Sequence, residues 1–242
     1  ADPIAAKYLR RLVGADELLD GKDRWCLWLV DAPEADLNAS TIIRDRVQAV
    51  REFRLKSSDA QTRKAGDWPH RFQYVRQLDL NYLAIPAHVS ELRNFFTAAY
   101  LEPEVICSNA NFMAPDPTGF LLGILSSTMF ITWQKAIGGR LESRIRFSNT
   151  FSYNSFPLPT LTDRQQAAIA TGGQSIVAAR ELYPDKTLAQ LYDPGAMPAE
   201  LLAAHQAVDA ILDPAFGIDE SASLRERQAR LFECYEELIA SR

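Results

Sequence analysis

Hydrophobic residues are densest over 120–133, a run interrupted only by Gly123, Ser126, Ser127, Thr128 and Thr132. It is too short to cross a bilayer and predicts a buried helix over 118–137, stopped by Gly138-Gly139. The pattern then changes at once. From Arg140 onward polar and apolar positions alternate: Arg140, Glu142, Arg144 and Arg146 fall on one side of an extended chain, Leu141, Ile145 and Phe147 on the other. This predicts a single strand with an apolar back and a charged front.

Before this pair of elements, 24–30 is a short continuous apolar run that reads as a buried central strand, with Trp25 and Trp28 in the core rather than as stacking platforms. Ile42, Ile43, Val47, Val50 and Phe53 make one helical stripe over 38–63, with Ser40 or Thr41 as N-cap and Arg44 and Arg51 opposite. Short strands follow at 82–86, 94–101, 105–108 and 111–113, with His88 and Arg93 in the loop between them. Beyond Pro159 the spacing becomes helical throughout. Thr162 and Gln165 form a capping box ahead of Ile169, Ile176, Val177 and Leu182; 200–212 is a second helix; Ser223 and Glu226 open a third that runs to the C-terminus. The expected fold class is α+β, a mixed sheet with buried helices over 1–160 followed by an all-α tail over 161–242.

Charge divides along the same line. The 242-residue chain carries a net charge of −5, yet residues from 161 onward hold seven basic and thirteen acidic side chains, a net of −6, which leaves the first 160 at +1. Within 44–76, nine basic residues face four acidic ones. A local basic band of this kind is what phosphate contacts require, whatever the average says. Lys56 and Arg63 lie where the 38–63 helix ends, and complement its dipole or clamp a phosphate backbone.

Three scattered cysteines, with no Cys-x-x-Cys, signal neither zinc nor disulfides and suit a reducing, cytoplasmic setting. The chain opens Ala-Asp-Pro with no charged-then-apolar leader, and reads as a piece of something longer. Glycine-rich phosphate loops, a nucleophile elbow, His-Glu-x-x-His and the Asn-Pro-Pro-aromatic loop are all missing, so this piece is not expected to be catalytic or to bind a metal. The arginine row admits two readings: an edge strand with solvated charges, as in a protein-docking module with an acidic helical tail, or a surface that hydrogen-bonds nucleic acid.

Taken in order, Lys-Asp-Arg-Trp-Cys-Leu-Trp-Leu at 22–29, Val-Arg-Glu-Phe-Arg-Leu-Lys-Ser at 50–57, Tyr-Leu-Ala-Ile-Pro at 82–86, Gly-Ile-Leu-Ser-Ser-Thr-Met at 123–129 and Gly-Arg-Leu-Glu-Ser-Arg at 139–144 resemble one family. With Arg-Phe-Ser-Asn-Thr at 146–150, Tyr-Asn-Ser-Phe-Pro at 153–157 and Leu-Ala-Gln-Leu-Tyr-Asp-Pro at 188–194, they are similar to the C-terminal region of MmeI-like (Type IIL) restriction-modification enzymes. A looser likeness joins 118–182 to Type I specificity subunits. The resemblance implies a target-recognition domain and helical tail whose partners are double-stranded DNA and a methyltransferase domain of the same polypeptide. It implies S-adenosylmethionine for an adenine-specific parent enzyme and no cofactor for this chain.

The family varies its base-reading side chains at the positions matched by Glu142 and Arg144. A carboxylate accepts from cytosine N4 and a guanidinium bridges guanine O6 and N7, so the pair suits one C·G base pair. Arg140, Arg146, Ser148, Asn149, Lys56, Arg63, His88 and Arg93 are further candidates for base or backbone contacts. Where the family usually has Ile-Pro-Arg, this chain has Ile85-Pro86-Ala87-His88, which leaves His88 to supply the contact.

Overall fold

The structure, a computed structural model, describes residues 2–219 and 221–240. They form two compact units. The first comprises 1–13, 23–79 and 103–106, the second 14–22, 80–102 and 107–242. No helix among the described residues is long and apolar enough to cross a membrane.

In the first unit, the strands Leu9–Val13 and Trp25–Leu27 pair antiparallel, Arg10 opposite Cys26. The apolar run at 24–30 is thus a half-buried three-residue strand rather than a central one, and Trp25 is exposed. A short sheet against few helices has no second layer to cover that face. The long helical stripe divides at caps into Glu34–Ala39, Thr41–Leu55 and Ala60–Lys64. Ser40 accepts from the Ile43 N–H while its own hydroxyl donates to Asp2, which also caps Pro3–Lys7. Ile43 is fully buried with Ala5 and Leu29, whereas Phe53, expected on the same stripe, faces solvent. Arg54 donates to the carbonyls of Ala65, Trp68 and Arg71, tying the following turn to the end of the helix.

The second unit is built on Tyr82–Pro86. Its residues are buried throughout, and it is the central strand between Ala99–Leu101 and Asn111–Ala114. Strand formation covers less of 94–101 than the pattern predicts, because Phe95, Phe96 and Ala98 enter the core as an irregular segment. At Ala87 the chain passes into a second three-stranded sheet. The Ala87 N–H donates to Ala110 O, and its carbonyl accepts from Phe147 N. His88–Ser90 then pairs with Arg144–Arg146, which pairs with Gly139–Leu141.

The buried helix of the apolar run is two helices, Phe120–Leu125 and Thr128–Ile137, separated at Ser126-Ser127. Asp116 accepts from the Gly119, Leu121 and Leu122 N–H groups at the first N-terminus, and Ser127 caps the second. The helices Asp163–Glu181, Ala199–Ala215 and Leu224–Ala240 follow, the first opened by the Thr162–Gln165 capping box and the last by Ser223 and Glu226. Ser241 and Arg242, to which the sequence pattern extends the last helix, lie outside the described residues. Leu182 turns out to be exposed, but Ile169, Ile176, Val208, Leu212 and Phe216 share one core with Leu83, Phe96, Phe130 and Trp133. A single apolar core therefore runs across position 160.

Glycines set how closely these helices approach. A Cβ on Gly173 would lie 2.0 Å from Gly119 O, one on Gly123 2.6 Å from Ile169 O, and one on Gly172 2.5 Å from a Val208 methyl. Backbone therefore touches backbone between Phe120–Leu125 and Asp163–Glu181, and no larger residue fits.

Beside this crossing lies a buried polar chain. His205 Nδ1 is 2.8 Å from Ser126 O, an atom that can only accept, so Nδ1 carries the proton. Nε2 then accepts from the Tyr192 hydroxyl at 2.8 Å, and the Tyr192 oxygen accepts in turn from Arg180 Nε and Nη2. Burial, with Arg180 nearby, pushes the His205 pKa down to about 3 despite the Ser126 bond. Asp209 accepts from Thr128 N at 2.7 Å and from its hydroxyl; burial pushes its pKa up to about 6.

Gly173→Ala is expected to cost about 3 kcal/mol or more of stability. Gly195→Ala, whose Cβ would meet only Asp193 Oδ1 at 3.5 Å, is expected to change stability by about 0.5 kcal/mol at most; chemical denaturation of both variants checks this. For pH, the folded His205 stays neutral from its ordinary value near 6.5 down to about 3, while the unfolded chain takes up a proton in that window. Stability from this group is thus present above about pH 6.5 and is lost on acidification. Between pH 7 and pH 5 the wild type should lose about 2 kcal/mol more than His205→Gln. Asp209, with the opposite sign, is common to both proteins, and unfolding titrations at the two pH values measure the difference.

Candidate nucleic-acid interface

The predicted single strand over 140–146 is a hairpin. Leu141 pairs with Arg144, Arg140 with Ile145 and Gly139 with Arg146, around a two-residue turn at Glu142-Ser143. Glu142 has φ +57°, the only positive φ of any non-glycine residue among those described. Two-residue hairpin turns require a positive φ at the start to match the twist of the strands, normally supplied by Gly or Asn. Neither stands here, which is why alternation alone suggested an unbroken strand.

The hairpin redistributes the charged row. Residues directly opposite each other share a face, so Ser90, Arg144 and Leu141 form one cross-strand row and His88, Arg146 and Gly139 another, both on the outer side. Val89, Ile145 and Arg140 form the inner row. Val89 and Ile145 are each 1% exposed and anchor the sheet in the core. Arg140 is therefore on the opposite side from Arg144 and Arg146, contrary to the expected common front, and from this edge strand it reaches Glu91 as an ion pair.

Glu142 and Arg144 do come together. Glu142 Oε2 lies 3.2 Å from Arg144 Nη2, with both side chains exposed. Such a pair contributes little to stability, since water competes for both partners. It does fix an acceptor and a bidentate donor side by side at the tip of a sheet whose other face is anchored. His88, expected in a loop, is instead a strand residue opposite Arg146. Partial burial, and then the Arg144 and Arg146 guanidiniums, hold its pKa below the ordinary value, so the imidazole is neutral near pH 7. Arg146 forms no ion pair among the described residues.

Ser148 and Asn149 follow this strand. The Ser148 hydroxyl accepts from Phe151 N and opens a π-helical turn over Asn149–Tyr153, and the exposed Asn149 accepts from Thr150 Oγ1. Arg93 is a correction. It is 8% exposed, donates to Leu188 O at 3.3 Å and stacks over Tyr192, so it holds the core together and does not face a ligand. Lys56 and Arg63 belong to the first unit. Lys56 is exposed at the C-cap of Thr41–Leu55, and Arg63, in the separate helix Ala60–Lys64, donates to Ser57 O and Ser58 O in the linker between the two while remaining exposed. Ser90, in the outer row with Arg144, was not legible in the sequence. Its only signal is the pairing of His88–Ser90 with a strand more than fifty residues away.

Comparison with known proteins finds two family models on consecutive parts of the chain. Residues 1–160 match the family described as "MmeI, target recognition domain", and 161–241 match "MmeI, C-terminal domain". A curated relative, DNA methyltransferase A of Bacillus subtilis (strain 168), is 33% identical over 236 residues, covering 98% of this chain and 27% of that protein. The solved structure of the Type IIL restriction-modification enzyme MmeI in complex with DNA matches with a TM-score of 0.95 at 41% identity, covering 99% of this chain and 32% of that one. The chain thus spans about a quarter to a third of the length of these relatives.

An αL conformation strains a side chain-bearing residue, and glycine relieves it. Glu142→Gly is therefore expected to leave the protein as stable as the wild type or up to about 1 kcal/mol more stable, read from thermal unfolding, while deleting the carboxylate from the outer face.

Proposed function

This chain belongs to the MmeI family, as a target-recognition domain with its C-terminal domain, and from that membership we propose that its outer hairpin face reads base edges of double-stranded DNA. The observation that carries this reading is the adjacency of Glu142 and Arg144 at the tip of the core-anchored sheet. Glu142 accepts from cytosine N4 on one strand, and Arg144 donates to guanine O6 and N7 on the other, so the two specify one C·G pair. Their mutual ion pair orients both groups before binding. Arg146 and neutral His88, in the next row, suit phosphate or sugar oxygens. Asn149 and Ser148 extend that edge; Lys56 and Arg63, which belong to the first unit, are by themselves suited to phosphate contacts. Arg140, held by Glu91 on the inner side, serves to brace the edge strand.

The reading extends to the longer polypeptide. The relative named DNA methyltransferase A supports a DNA methyltransferase in the longer polypeptide, which this module positions on its target and which the family resemblance makes adenine-directed. S-adenosylmethionine supplies the methyl group there. A cavity of about 590 Å³ in the second unit does not fit that cofactor: its lining includes Phe95, Ile131, Lys135 and Leu202 and no carboxylate to hold a ribose. Asp209 and Asp213 line an adjoining cavity, where they are engaged by Thr128 and Arg227. We assign the cofactor to the part of the protein outside this chain.

Exchanging Glu142→Lys together with Arg144→Asp places a donor where the acceptor stood and an acceptor where the donor stood. The expected result is inversion of the preferred base pair from C·G to G·C at one site position, each contact discriminating by about 1–3 kcal/mol. Sequencing the sites methylated by the longer polypeptide measures it, and an unchanged preference at every position would refute the assigned pair.

A further inference from the structure

Four aromatic residues lie between 147 and 156, and three of them are anchors. Phe147 and Phe156 are buried, and Tyr153 packs its ring edge-on to Phe130 and beside Phe147. The fourth, Phe151, is 77% exposed, the most exposed of the large apolar side chains described.

The backbone at Phe151 is a π-helical turn, a form that occurs mostly at functional sites. Tyr153 N donates to Ser148 O at 2.9 Å and Asn154 N to Asn149 O at 3.0 Å, the wide bonds that define it. The Ser148 hydroxyl caps Phe151 N, while the buried Ser152 hydroxyl donates to Ser148 O and accepts from Ser148 N. The Ser155 hydroxyl donates to Phe151 O. Phe151 thus sits on a turn with its backbone bonded on both sides, so its outward direction is fixed. The turn also has no slack from the charged face. Phe147 N still belongs to the ladder through Ala87 O, and Ser148 starts the turn one residue later.

We infer that Phe151 is a stacking wedge, a flat apolar side chain that inserts at a base step, or stacks on an unstacked base, near the base pair met by Glu142 and Arg144. The inference rests on the DNA-recognition reading above. The occupant follows from charge and shape together. Guanidiniums select a polyanion, an exposed ring five residues along the chain from Arg146 selects one whose interior is made of flat π-faces, and duplex DNA is both. A wedge makes no hydrogen bond to a base edge, so it adds affinity and bends or opens a step without choosing the sequence.

The test uses the longer polypeptide carrying this chain, as wild type and as Phe151→Ala, Phe151→Trp and Arg144→Ala. Each protein is selected against duplexes with a randomised core, and affinity for the wild-type winner is followed by anisotropy, with 2-aminopurine placed at successive positions. Phe151→Ala should bind about tenfold more weakly, enrich the same sequence, keep the same dependence on salt, and lose the 2-aminopurine fluorescence rise that the wild type produces at one step other than the methylated adenine, which the methyltransferase itself unstacks. Phe151→Trp should restore both affinity and fluorescence. The proposal is overturned if Phe151→Ala binds like the wild type and no position but the methylated adenine brightens while Arg144→Ala alters the enriched sequence. Recognition would then stand, and Phe151 would be covered by protein elsewhere in the longer chain. If the wild type enriches no sequence at all, the recognition reading fails and the wedge fails with it.

Discussion

Contact of backbone on backbone where Gly119 and Gly123 meet the helix carrying Gly172 and Gly173 is the constraint from which the second unit takes its shape. It sets the distance between Phe120–Leu125 and Asp163–Glu181 at the minimum two helices can have, and so decides which side chains can fill the space beside them. Phe130, Trp133, Ile169 and Ile176 then close into one core. The second buried helix follows from the first through Ser126-Ser127 and is pinned at its start by Asp209, a residue of the C-terminal helices. Its end at Gly138 delivers the chain to the hairpin. The hairpin face is therefore positioned by packing that spans the join between the two family-defined regions.

The hairpin face separates two jobs that a single strand would have confounded. Val89 and Ile145 hold it to the core on one side, and on the other Ser90, Arg144 and Arg146 are exposed and His88 is half-buried. An ion pair as exposed as Glu142–Arg144 adds little to folding. The positive φ of Glu142 is what the two-residue turn demands, and the carboxylate it carries is set at the tip beside Arg144.

Elements with strong local signals were legible in the sequence. The capping box at Thr162, the cap at Ser223, the apolar helical run and the outward character of Arg144 and Arg146 all follow from patterns confined to a few residues. What alternation could not show was the fold-back at Glu142-Ser143, since the turn lacks the residues that usually announce one, and with it the removal of Arg140 to the other side. Arg93 and Trp25 erred in opposite directions for a shared reason. A cation is expected outside and a tryptophan inside, but Arg93 found Leu188 O and the Tyr192 ring within the core, while Trp25 lies on a sheet too short to be covered. Both outcomes depend on partners distant in sequence.

Ala87 is a single residue whose N–H serves one sheet and whose carbonyl serves the other. The outer strand His88–Ser90 is in consequence a rigid continuation of Tyr82–Pro86, the most deeply enclosed strand of the unit. Displacing the face would mean shearing that strand past both of its neighbours. Freedom that is absent before an encounter cannot be lost during it, so the surface meets its ligand with little conformational entropy left to surrender.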